Sequence, residues 1–94
     1  MNYKISHPTK VVECEINLPS SKSISNRLLI IQSLCKENFT IENLSDSDDT
    51  KSLELALNSK SNLIDVGAAG TTFRFLTSYL STLVGEEYIL TGSE

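Results

Sequence analysis

The sequence predicts an α/β fold, in which short strands alternate with helices. A first strand is predicted at residues 10–18, where apolar and polar side chains alternate. Three segments carry apolar residues at helical spacing: 21–35, 46–58 and 71–84. Short apolar runs between polar turns predict three further strands: 39–44, 62–66 and 86–91. This order predicts βαβαβ-type repeats, and residues 16–44 and 64–91 look like two copies of one unit.

The buried side of each predicted helix follows from the positions of its apolar residues. In the first helix the predicted stripe is Ile24, Leu28, Ile31 and Leu34, and the neighbouring Leu29 and Ile30 widen it. A helix with so much apolar surface is expected in the interior. In the second helix the inner side is Thr50, Leu53, Ala56 and Leu57. In the third it is Phe73, Leu76, Leu80 and Leu83, with Gly85 as the expected C′ residue.

The start of the first helix has the composition of an anion site. Pro19 cannot continue a strand, and Ser20 or Ser21 can cap the free amides of the helix that follows. Those amides and the helix dipole favour a negative ligand, and Lys22, Ser23 and Arg27 add donors at the same end, where no Asp or Glu occurs between residues 16 and 36. The alternative is a plain cap with two solvated cations.

Two further helix starts contribute candidate residues. Asp46, Asp48 and Asp49 open the predicted second helix, where carboxylates favour the dipole, and the alternative is that Asp48 or Asp49 orients Lys22. Gly70 opens the third helix and would let its backbone approach a ligand, because it has no Cβ. The alternative for Gly70 is a small residue that a tight turn needs for packing.

Composition excludes several other functions. The formal charge of −4 over 94 residues disfavours a nucleic-acid binder, which would need a basic face. Residues 1–10 lack the apolar core of a signal peptide and no apolar run approaches ~20 residues, so we expect a cytoplasmic protein without a membrane partner. Cys14 and Cys35 are isolated and are expected to be small buried apolar residues. No cluster of ligands suggests a metal site.

Three motifs, in the same order, resemble the 5-enolpyruvylshikimate-3-phosphate synthase family. They are LPSSKSISNR at 18–27, NLSDSDDT at 43–50 and AGTTFR at 69–74. The resemblance spans residues 11 to 92 and implies part of an inside-out α/β barrel with two lobes. It further implies that residues 1–94 are an amino-terminal segment of a longer enzyme. Strand 10–18 would belong to the opposite lobe, and residues 20–94 would begin the first complete lobe.

The resemblance implies an enolpyruvyl transfer from phosphoenolpyruvate to the 5-hydroxyl of 3-phosphoshikimate, with release of phosphate and without a cofactor. Lys22 would lie between the two substrates, Ser23 and Arg27 would hold 3-phosphoshikimate, and Gly70 would meet phosphoenolpyruvate through its backbone. Ala68 stands where the family usually has Asn, which removes one polar contact. The proton-transfer residues would lie beyond Glu94, so no catalytic residue is assigned here and the segment alone is expected to be inactive.

Two rival functions stay open at this point. One is the related enolpyruvyl transferase that acts on UDP-N-acetylglucosamine, and the other is a noncatalytic anion-binding fragment. Unpaired strand edges predict that the segment self-associates, whereas the resemblance implies that a full-length family member is monomeric.

Overall fold

The computed structural model describes residues 1–93 and shows a mixed arrangement of helices and strands. In chain order the elements are α1 (Lys22–Leu34), α2 (Asp48–Leu57), β1 (Leu63–Asp65), α3 (Gly70–Leu80) and β2 (Ile89–Thr91). All three predicted helices are present, each within a few residues of its predicted ends. The expected α/β class is therefore confirmed at the level of a helical layer and a small parallel sheet.

Serine hydroxyls cap the first two helices. Ser21 Oγ accepts a hydrogen bond from the amide of Ile24 at 3.3 Å, so the cap predicted at Ser20 or Ser21 is Ser21. Ser47 Oγ accepts from the amide of Thr50 at 3.3 Å at the start of α2. The acidic residues of this turn are not the cap, although Asp48 and Asp49 lie in the first turn, where they favour the dipole.

The second predicted repeat unit is a parallel βαβ unit. β1 and β2 pair in parallel with Ile64 opposite Leu90, and α3 forms the connection between them. The pairing extends beyond the strands, since the amide of Val66 donates to the carbonyl of Thr91 at 2.9 Å. Both strands are three residues long, which is shorter than the sequence predicts.

The strands predicted at 10–18 and 39–44 do not form. Residues 10–18 are exposed, and Val12, Ile16 and Leu18 retain 69%, 72% and 82% of their accessible surface. An alternating pattern makes a strand only when a neighbouring strand supplies hydrogen bonds, and within residues 1–93 none lies beside this segment. Around 39–44 the carbonyl of Phe39 instead accepts from Gln32 Nε2 of α1 at 2.6 Å.

The core lies between the helices and the sheet. Leu53 of α2 and Leu76 of α3 are fully buried, and the other buried apolar members are Leu29, Ala56, Ile64 and Val66. The inner side predicted for α2 is confirmed, since Thr50, Leu53 and Ala56 are its buried residues.

The buried side predicted for α1 is wrong. Its buried residues are Ser25, Asn26 and Leu29, whereas the predicted stripe members Ile24, Ile31 and Leu34 are exposed. Polar groups of Ser25 and Asn26 bond to the segment before α2 and to α2 itself, and these bonds turn the polar side of α1 inward. The apolar side then borders an open groove of about 450 Å³ between α1 and α3.

Three smaller expectations are also wrong. α3 ends at Leu80 with Ser81 as the C-cap, so Gly85, which has a φ of +82°, lies in a later turn. Phe73 is exposed because the buried side of α3 runs through Thr72 and Leu76. Cys14 and Cys35 are both exposed, since the strand that would have buried Cys14 is absent and Cys35 is the C-cap of α1.

Among residues 1–93, none of the helices combines the length and the apolar character that a bilayer crossing requires.

Candidate functional site

Ser23 and Arg27 form a connected pair at the start of α1. Nη1 of Arg27 donates to the carbonyl oxygen of Ser23 at 3.0 Å and also to the Ser23 hydroxyl oxygen. Residues four apart lie on one side of a helix, so the pair follows directly from the sequence spacing. The guanidinium is thereby held close to the amino-terminal turn of α1, where the dipole and free amides favour an anion.

Arg27 also connects α1 to α3. Its guanidinium carbon lies over the ring of Phe75, 5.5 Å from the centroid. Phe75 is half-buried and packs against the core, whereas Arg27 is exposed. A cation within about 6 Å of an aromatic face is attracted to it, so the contact restrains the position of Arg27.

Lys22 is paired with a carboxylate that the local sequence does not contain. Its Nζ lies 3.1 Å from Oδ2 of Asp49, which α2 contributes from 27 positions further along the chain. Residues 16–36 contain no Asp or Glu, but α2 nevertheless brings a carboxylate to this helix start from elsewhere in the chain. The alternative that Asp49 orients Lys22 is supported, and the Lys22 side chain remains half-exposed.

Buried hydrogen bonds hold the starts of the three helices side by side. Thr72 Oγ1 of α3 donates to the carbonyl of Asp49 at 2.8 Å. Thr50 Oγ1 of α2 donates to Asn26 Oδ1 of α1 at 2.7 Å. Asn26, Thr50 and Thr72 are all fully buried. These two hydrogen bonds fix how the three helix starts are arranged, and Asn26 Nδ2 is the buried side-chain atom of this cluster that has no partner within residues 1–93.

Sequence reasoning missed these positioning residues. The sequence places Asn26 within a motif and Thr50 on the inner side of α2, but it does not indicate a hydrogen bond between them. The available signal was a polar residue at a position that faces the core in an otherwise apolar helix. Such residues pair across elements, and the partner cannot be identified from local spacing.

Gly70 opens α3 at an exposed position. The N-cap residue, Ala69, supplies no side-chain acceptor, and the amide of Gly70 donates to the carbonyl of Ala68 at 3.1 Å. A Cβ added to Gly70 would have Arg74 Nη1 as its nearest neighbour, at an ordinary 3.8 Å. Packing within the described residues therefore does not require glycine at position 70. A ligand that approaches the backbone would explain why this residue has no side chain.

The four predicted binding residues fall into two connected groups. Lys22, Ser23 and Arg27 share the start of α1, and Gly70 lies at the start of α3. In the described part of the chain the connection between Lys22 and Gly70 runs through Asp49 and Thr72, not through a direct hydrogen bond. The arrangement can offer helix amides and two cationic side chains to one multiply charged anion.

We expect Thr72→Val to destabilise the protein by about 1 kcal/mol, because it removes a part-buried hydrogen bond while keeping a β-branched side chain of similar shape. Denaturant unfolding measures the loss. Thr77→Val is the matched control, since Thr77 is exposed and its hydroxyl bonds within its own helix, to the carbonyl of Phe73. Equal losses in both variants would show that the bond from Thr72 to Asp49 has no special role.

The part of the sequence that includes α1 and α2 matches a known family. The model of the EPSP synthase family, 3-phosphoshikimate 1-carboxyvinyltransferase, matches residues 6–59. This chain belongs to the EPSP synthase family. The match covers more than half of the chain and includes α1, Asp49 and Thr50, so the resemblance on which the site was predicted is confirmed for the family.

A relative of this EPSP synthase family member that matches the whole chain extends the similarity to α3. A 3-phosphoshikimate 1-carboxyvinyltransferase of Bacteroides fragilis is 48% identical over 94 residues, which is 100% of this chain and 22% of the relative. One of a Sulfurovum species is 46% identical over 57 residues, 61% of this chain. The chain spans 22% of the length of the Bacteroides protein. No solved structure matches.

Proposed function

We propose that this chain forms part of an enzyme that transfers the enolpyruvyl group of phosphoenolpyruvate to the 5-hydroxyl of 3-phosphoshikimate and releases phosphate. The observation that carries the proposal is the arrangement of Lys22, Ser23 and Arg27 on the first two turns of α1, in a member of this family. Both substrates are multiply anionic, and fixed cations offset their mutual repulsion when they are held together.

Arg27 and Ser23 hold 3-phosphoshikimate in this proposal. Nη1 of Arg27 makes two hydrogen bonds to Ser23, so the edge formed by Nε and Nη2 is left for a carboxylate or phosphate. The Ser23 hydroxyl accepts from Arg27 through its oxygen, and its proton can be donated to the same anion. Lys22, half-exposed and oriented by Asp49, contributes a charge between the two substrates.

Gly70 meets phosphoenolpyruvate through its backbone. The start of α3 has no side-chain cap, so the helix amides that follow that of Gly70, which donates to the carbonyl of Ala68, can face an anion. Thr72 fixes this start to α2, and Asp49 of α2 fixes Lys22, which holds the two substrate sites at a set separation. Ala68, at the position where the family usually has Asn, leaves the backbone contact at Gly70 unaffected.

The larger fold is also a proposal. The parallel pair β1 and β2, joined through α3, is the kind of unit from which a two-lobe inside-out α/β barrel is built. The exposed alternating residues at 10–18 support a strand that pairs within the opposite lobe. The reaction is proposed to need no cofactor, and no proton-transfer residue is placed within residues 1–94.

Titration of the chain with 3-phosphoshikimate, followed by backbone amide shifts, tests the site. We expect millimolar affinity, or about 4 kcal/mol, because an open site is wet and screened by salt. The shifts should cluster at residues 22–27. Shifts that concentrate near Asp46, or that leave residues 22–27 unchanged, would contradict the proposed site.

A chimeric enzyme tests the activity. The aligned segment of the Bacteroides fragilis relative is replaced by this chain, and phosphate release from phosphoenolpyruvate is measured with 3-phosphoshikimate as the acceptor. Release that depends on 3-phosphoshikimate supports the proposal. Phosphate release that depends on UDP-N-acetylglucosamine instead would favour the related transferase. A folded but inactive chimera would favour a noncatalytic anion-binding role.

In the chimera, we expect Gly70→Ala to weaken phosphoenolpyruvate binding at least about tenfold, because the new Cβ occupies the space in which the backbone approaches the ligand. The KM for 3-phosphoshikimate should change much less. Gly92→Ala is the contrasting variant, since its Cβ would lie 2.7 Å from the carbonyl oxygen of Gly67 and must disturb the fold. Equal losses for both substrates in Gly70→Ala would make Gly70 a folding residue.

A further inference from the structure

The contact between Arg27 and Phe75 places the guanidinium of a long, exposed side chain against an aromatic ring that packs on the core. Arg27 is exposed, and a long exposed side chain samples many rotamers unless something restrains it. Phe75 is half-buried, packs against the core and lies on α3 one turn and a half after Gly70. The guanidinium carbon lies over its ring at 5.5 Å from the centroid.

We infer that Phe75 is a positioning residue for Arg27, which holds the guanidinium in the orientation that binds the anionic substrate. The inference deepens the proposed function and rests on it for the identity of the ligand. Two restraints define the orientation: Ser23 holds Nη1, and the Phe75 ring covers one face. Together they leave the edge of Nε and Nη2 as the side that faces a ligand.

The contact also connects the two substrate sites. Arg27 belongs to the α1 site, whereas Phe75 belongs to the helix whose first residue is Gly70. A shift of α3 on binding at Gly70 would therefore move the ring on which Arg27 rests. Thr72 restrains the same helix through Asp49, so α3 is held at its first turn and contacts Arg27 at its second.

The first test observes Arg27 directly, without any substrate. In the unsubstituted chain, the Nε proton of Arg27 should show the upfield shift that an aromatic face produces, and nuclear Overhauser contacts to the Phe75 ring. Phe75→Leu should return that proton to its ordinary position, and Phe75→Tyr should preserve the shift. Phe73→Leu is the control, because Phe73 is an exposed phenylalanine on the same helix.

The second test measures 3-phosphoshikimate affinity. Phe75→Leu should weaken it about three- to fivefold, the range that an exposed cation–π contact provides. Phe75→Tyr should keep the affinity of the unsubstituted chain, because tyrosine also presents an aromatic face to Arg27.

Several results would overturn the inference. They are an unshifted Arg27 Nε proton in the unsubstituted chain, the same shift in Phe75→Leu, or an unchanged 3-phosphoshikimate affinity in Phe75→Leu. A chain that shows the Arg27 shift but no binding of 3-phosphoshikimate would leave the positioning role in place and contradict the proposed function. The first readout needs no variant, so misfolding of Phe75→Leu does not remove the test.

Discussion

Arg27→Ala should remove detectable binding of 3-phosphoshikimate to this chain. In the proposed site the Arg27 side chain offers its Nε and Nη2 edge to the ligand, and hydrogen bonds to charged groups contribute about 1.5 to 3 kcal/mol. A loss of about 3 kcal/mol is more than a hundredfold, which moves a millimolar affinity out of the measurable range. Titration of the amide shifts at residues 22–27 provides the measurement.

Lys36→Ala is the matched control for this loss. It removes the same unit of charge from an exposed position just beyond the end of α1, far from its first turn. If attraction depended on net charge alone, both variants would bind equally weakly. Retained binding in Lys36→Ala together with lost binding in Arg27→Ala would place the effect at the start of α1. Retained binding in Arg27→Ala would contradict the proposed role of the guanidinium.

Local sequence predicts the helix starts well because their determinants lie within a few residues. Ser21 caps α1, and Arg27 reaches back to Ser23 as its spacing requires. The same reasoning could not find Asp49, which arrives at Lys22 from another helix. A charge partner 27 positions away is set by packing, and packing depends on groups that spacing does not reveal.

The side of α1 that faces the core shows the limit of apolar periodicity. The stripe of Ile24, Ile31 and Leu34 predicts one orientation, but the helix is oriented by Asn26 and Ser25, which bond to neighbouring segments. Each of these hydrogen bonds contributes about 0.5 to 1.5 kcal/mol, which is comparable to burying part of one apolar side chain, whereas Asn26 Nδ2 is buried without a partner within residues 1–93.

Strand prediction failed where the partner strand is absent from the described residues. Residues 10–18 alternate as a strand does, yet they remain exposed and unpaired within residues 1–93. Residues 62–66 and 86–91 alternate less regularly between apolar and polar side chains. The connection through α3 nevertheless brings these two segments side by side, and strands β1 and β2 form within them. Pairing, not the pattern of one segment, therefore decides which segments become strands.

Leu53→Ala should destabilise the protein by about 2 to 5 kcal/mol, because Leu53 is fully buried at the centre of the core and its removal leaves a cavity. The free energy of unfolding of a small domain is about 5 to 15 kcal/mol, so the variant should be partly unfolded at 25 °C in mild denaturant. Chemical unfolding followed by circular dichroism measures the loss of helix.

Leu55→Ala is the control within the same helix. Because Leu55 is 74% exposed, this substitution should lower the free energy of unfolding by less than about 0.5 kcal/mol.

The Leu53→Ala substitution should also weaken the candidate site. α2 carries Asp49, whose carboxylate pairs with Lys22 and whose carbonyl accepts from Thr72, so α1 and α3 lose their common partner when α2 detaches. Saturating 3-phosphoshikimate should raise the free energy of unfolding of Leu53→Ala, because a ligand that binds only the native state stabilises it. A variant that loses several kcal/mol yet binds unchanged would show that the site does not depend on α2.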